Sequence, residues 1–106
     1  MQTKITRYRQ GDVLISQIEA FPQGSWTKRE TGVVAYGEAT GHSHRVCVED
    51  GAEVLETEGG VFVRVTAEGG VSIVHEEHRA IVLPRGDYRV TIQREYAPEE
   101  IRYVRD

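Results

Sequence analysis

Glu58-Gly-Gly-Val-Phe-Val-Arg-Val-Thr-Ala-Glu-Gly-Gly-Val71 is the stretch from which the fold class is read. Val61, Val63 and Val65 alternate with Phe62 and Arg64. A period of two marks a half-buried strand, since successive side chains of an extended chain point to opposite faces. A Gly-Gly pair flanks the run on each side. Glycine reaches the positive φ values that two-residue turns require, so the two pairs read as consecutive tight hairpins of a plain β-meander.

The same alternation recurs on both sides of this run. Val13 and Ile15 alternate with Asp12, Leu14 and Ser16, and Tyr88, Val90 and Ile92 alternate with Arg89, Thr91 and Gln93. β-branched residues are enriched in these runs, as strands require. Turn signals fall between them at Gln10-Gly11-Asp12, Pro22 to Ser25, Asp50-Gly51 and Pro84 to Asp87. The pattern predicts strands at about 3–8, 11–19, 31–38, 42–49, 52–58, 61–67, 71–75, 79–83, 87–96 and 100–104. The expectation is a single all-β domain over residues 1–106, a small barrel or sandwich. Only Ala97-Pro98-Glu99-Glu100 suggests a helical turn, with Pro suited to the first helical position.

Composition narrows the function classes. The 106 residues carry a net charge of −4, and the arginines are dispersed rather than clustered, which argues against nucleic-acid binding. No stretch is long and apolar enough for a membrane span or, at the N-terminus, for a signal peptide. The one cysteine, Cys47, cannot form an internal disulfide. A cytoplasmic protein is expected, with Cys47 read as a small buried residue.

All four histidines fall in two short clusters, Gly41-His42-Ser43-His44 and His75-Glu76-Glu77-His78. Residues two apart on a strand share a face, about 7 Å apart along it, so His42 and His44 can converge on one ion. His75 and His78, three apart, would face opposite ways on a regular strand. If both serve the same ion, Glu76 and Glu77 must form a turn or bulge. Lone strand histidines are usually surface or hydrogen-bonded core residues, and paired clusters can also form a pH-sensitive interface. The concentration of every histidine into two pairs favours a metal. Glu49 and Glu38 are further oxygen donors to weigh against plain solvated carboxylates.

Residues 37–49, GEATGHSHRVCVE, resemble the first metal motif of the cupins through His42, Ser43, His44 and Glu49, and LPRGDY resembles the turn of their second motif through Pro84 and Gly86. The resemblance implies a cupin-like double-stranded β-helix, a divalent metal in the mouth of a jelly roll, a small-molecule ligand and dimerisation. It places the fourth ligand where this chain has Arg89, so a cupin-like site would draw that ligand from His75 or His78 instead.

The metal set expected is therefore His42, His44, His75, His78 and Glu49. Imidazoles suit Zn, Fe, Ni or Mn, whereas Ca and Mg sites demand more oxygen. With an exchangeable position left open, the ion polarises a substrate or activates water. With four imidazoles closed tetrahedrally around it, it is structural. Glu76 and Glu77 are candidate catalytic residues, as a general base, as partners to an imidazole N–H, or as solvated turn residues. No serine elbow, phosphate loop or dinucleotide fingerprint is present. The run QREYAPEEIRYVRD, with Tyr96, Ile101 and Tyr103 interleaved among charges, reads as an edge strand and tail or as a contact in a homodimer or higher homo-oligomer.

Overall fold

The computed structural model describes residues 6–36 and 42–92. Among these residues ten strands form two antiparallel sheets packed as a sandwich. They are β1 (Arg7–Gln10), β2 (Val13–Ile18), β3 (Thr27–Lys28), β4 (Val33–Tyr36), β5 (Ser43–Val46), β6 (Ala52–Thr57), β7 (Gly60–Val65), β8 (Val71–His75), β9 (His78–Leu83) and β10 (Gly86–Ile92). One sheet has the order β1-β2-β10-β7-β6-β3 and the other β4-β5-β8-β9. Among the described residues no helix is long and apolar enough to cross a membrane.

The alternation read from the sequence is what the core uses. Val13, Ile15, Val54, Val63, Val65, Ile73, Leu83 and Tyr88 are all buried in one cluster between the sheets. At about 25 cal/mol per Å² of apolar surface removed from water, such side chains supply the main drive for folding. The six-stranded sheet also buries Leu55 and Phe62, which alternate out of step with that core. The segment after β2 covers Phe62, packing Phe21 on it and Trp26 on Phe21 at centroid distances of 5.4 and 5.1 Å. Trp26 thus packs on Phe21 and stays 37% exposed.

Three expectations need correcting. Glu58-Gly59 does form the β6–β7 hairpin, but Gly69-Gly70 does not form a second one, because β7 and β8 lie in different sheets. The Gly51 carbonyl accepts from the N–H groups of both Thr66 and Ala67, and Gly70 N–H bonds back to Ala67, which bends the chain across the sandwich. The β-meander is therefore interrupted. The strand expected over 42–49 ends at Val46 and passes into a 3-10 turn at Val48–Asp50. Cys47 stands just beyond that strand end and is exposed, not buried. The expectations for Gly37, Glu38, Gly41 and residues 93–106 lie outside the described residues.

Candidate metal centre

Three of the four histidines come from adjacent strands of the four-stranded sheet. β5 and β8 pair with Arg45 opposite Val74 and Val46 opposite Ile73, and continuing that register brings His44 opposite His75. His75 in turn pairs with His78 across the β8–β9 hairpin. Neighbouring strands are about 4.8 Å apart, so one imidazole per strand gives a row of rings at about that spacing. The ring centroids are 4.3 Å apart for His44 and His75 and 4.7 Å for His75 and His78. A straight row would separate the outer rings by about 9.6 Å, two strand spacings. They are only 6.1 Å apart, so the rings close into a triangle. His42, just before β5, places its ring edge-on to His75 at 5.6 Å.

Irregular pairing produces this convergence. Between the pairs Ile73/Ile81 and His75/His78, β8 has one residue, Val74, and β9 has two, Arg79 and Ala80. The extra residue on β9 is a bulge, which re-aims His78 and frees backbone groups. On the other side β4 has Val34 between Val33 and Ala35, which pair with the successive residues Arg45 and His44 of β5. Glu76 and Glu77 are the two residues joining β8 to β9, so His75 and His78 face each other rather than opposite sides.

Gln10 supports the cluster from beneath. Its amide nitrogen donates to the carbonyls of Ile73, at 3.1 Å, and Arg79, at 2.8 Å, while Oε1 lies 2.8 Å from His44 Nδ1. From the sequence alone Gln10 reads only as part of a turn. The available signal was its parity: Gln10 shares the inward face of β1 with Tyr8, and a polar group at an inward position must find partners. Gly11 has φ +64, and a Cβ added there would stand 2.6 Å from His78 Nε2, so a side chain at this turn would displace the His78 ring.

The carboxylates are held by their surroundings. Glu76 accepts from the N–H of Ser43 and from Arg45, both at 3.3 Å. Its own backbone N–H, that of Ser43 and the Arg45 guanidinium hold its carboxyl down at about 2. Such a group is a weak base, better suited to supplying negative charge than to taking a proton near neutral pH. Glu77 Oε2 lies 3.5 Å from His42 Nδ1, within ion-pair reach but not aligned as a hydrogen bond. That nitrogen is shut off from solvent and has no hydrogen-bond partner among the described residues. His42, His75 and Glu76 can each bring one donor atom within 4.8 Å of the others. Burial, then the neighbouring His75, lowers His44 to about 4 from an ordinary 6.5, with His78 acting the same way. His44 is 1% exposed and His75 9%, whereas His78 is exposed.

Two residues suggested by the cupin motifs are not brought to this cluster. Glu49 is exposed in the 3-10 turn beyond the far end of β5 from His42. Arg89 faces outward on β10, its guanidinium 5.3 Å over the Phe62 ring.

Residues 9–93 match DUF8820, a domain of unknown function. The chain belongs to that family. The DUF8820 match takes in Gln10 and all four histidines. No curated protein and no solved structure matches the chain.

Proposed function

We propose that this DUF8820 protein binds one divalent transition metal at the histidine cluster and presents it to a small-molecule ligand. The observation that carries the reading is the gathering of four imidazoles in one cluster, in which His42, His75 and Glu76 place donor atoms within 4.8 Å of one another and the His44 and His78 rings lie against His75. Two rings ligating one ion at about 2.0–2.1 Å from each nitrogen have centroids roughly 5 Å apart, in the range spanned by this cluster.

The donor set favours Zn, Fe, Ni or Mn over Ca or Mg. The graded exposure, from buried His44 to exposed His78, supports an ion anchored on its inner side and open on its outer side. An open position lets the ion polarise a bound oxygen or nitrogen. Glu76 and Glu77 add negative charge at that mouth. The cupin resemblance points to the same kind of site, although its Glu49 and Arg89 positions contribute nothing here.

Co(II) titration monitored by absorption tests the reading. Saturation at one ion per chain, with ligand-field bands that shift when a small anion is added, is the expected result. The His44→Ala and His75→Ala variants should each lose the bands. Absence of any stoichiometric uptake of Co(II) or Zn(II) by the folded wild-type protein refutes it.

A further inference from the structure

Gln10 does more than close a turn. We infer that it is a positioning residue that fixes His44 in the Nδ1–H tautomer and so reserves Nε2 for the metal; the identity of that occupant rests on the reading above.

A carboxamide has a donor end and an acceptor end. The Gln10 nitrogen faces two backbone carbonyls, of Ile73 and Arg79. Neither can donate. Reversing the amide would press its oxygen against both in a site where Gln10 is 2% exposed, leaving buried acceptors without a proton. The oxygen end therefore faces His44 Nδ1 at 2.8 Å, and an oxygen there can only accept. Nδ1 carries the hydrogen. A neutral imidazole has one, so Nε2 keeps its lone pair. Low accessibility keeps water from substituting for either end of the amide.

The bulge explains why the amide is needed. With Arg79 and Ala80 opposite Val74, the regular β8–β9 ladder is broken. Gln10 takes up the carbonyls on both strands, Ile73 from β8 and Arg79 from β9, and the same amide orients the histidine on β5.

His75 is set the other way. Its Nδ1 accepts from the backbone N–H of Glu77 at 3.0 Å, so its hydrogen sits on Nε2. Two imidazoles with centroids 4.3 Å apart are thus held in opposite tautomers. His44 offers a lone pair as it stands. His75 must release the Glu77 N–H before either of its nitrogens can ligate.

Long-range ¹H–¹⁵N correlation of the histidine rings in the metal-free wild-type protein, at neutral pH, tests this without reference to activity. His44 should show the Nδ1–H pattern and His75 the Nε2–H pattern. A rapidly averaged or Nε2–H pattern for His44 overturns the inference. Gln10→Met removes the acceptor at similar size and should release the tautomer and weaken Co(II) binding by about 10–100-fold, the usual loss when such a partner is removed. Gln10→Glu keeps an acceptor and should retain the Nδ1–H pattern, though with lower stability because two carbonyls lose their donor. A folded Gln10→Met protein with unchanged His44 pattern and unchanged Co(II) affinity also overturns it. Should Gln10→Met not fold, the wild-type ring spectrum decides by itself. If the tautomers are as stated and no metal binds, the metal reading fails while the role of Gln10 stands.

Discussion

Two hairpins of this sandwich have connections of equal length and behave differently. β6 and β7 are joined by Glu58 and Gly59, with Thr57 opposite Gly60; β8 and β9 are joined by Glu76 and Glu77, with His75 opposite His78. The first closes on itself. Gly59 N–H donates to Thr57 Oγ1 at 2.8 Å, and Gly60 supplies a φ of +129. The second contains no glycine, and its groups reach beyond the hairpin: Glu76 to Ser43 and Arg45, Glu77 to His42. A turn that only reverses the chain can be satisfied by local bonds. A turn that bonds to a third strand is fixing the position of that strand's side chains.

The largest contrast should come from removing one side chain at each place. His44→Ala leaves the Gln10 oxygen buried without a donor and opens a cavity, and should cost about 2–4 kcal/mol. Thr57→Ala at the local turn should cost less than about 0.5 kcal/mol. Urea unfolding of both variants measures the difference, and equal losses would erase it.

Acid should separate the two regions next. The folded protein holds His44 near 4, whereas an unfolded chain takes up its proton near 6.5. Between those values the unfolded state binds more protons, so stability is complete above about 6.5 and is lost as pH falls through about 4. Added metal should steepen the fall, since protons and metal compete for the same nitrogen. His44→Gln should flatten this part of the stability–pH curve, and Thr57→Ala should leave its slope unchanged.

The smallest effect is expected from the turn acids. Glu76→Gln loses the charge that Arg45 and the Ser43 N–H hold, and should lower the urea midpoint slightly at low salt. Because both partners are partly exposed, molar salt should remove most of that loss. Glu58→Gln should give no shift at either salt concentration.

Much of this was legible beforehand because a period of two is a direct geometric consequence of an extended chain. Val13, Ile15, Val63, Val65, Tyr88 and Val90 announced the inner face and are buried, while Val61 and Ile92 of the same runs are partly buried and exposed. Parity likewise required a turn or bulge at Glu76-Glu77 if His75 and His78 were to share an ion. Cross-strand register was not legible. Nothing local says that the chain leaves the six-stranded sheet after Val65, or that β5 lies beside β8 with His44 opposite His75. Residue type also misread Cys47, because the strand ended one residue before it. Gln10 was hidden for a different reason: its partners lie 34, 63 and 69 positions away in the chain.

Those separations bear on the order in which the molecule assembles. The cost of closing a loop rises with its length, by about 0.6 kcal/mol per doubling, and is met before the distant contact gives any return. The bonds of Gln10 to Ile73 and Arg79 belong among the last to form, after each hairpin has folded locally. A dissolved ion arriving earlier meets histidines that have not converged. The histidine cluster is therefore a product of completed folding and not its nucleus, and any ion held there would act by delaying unfolding.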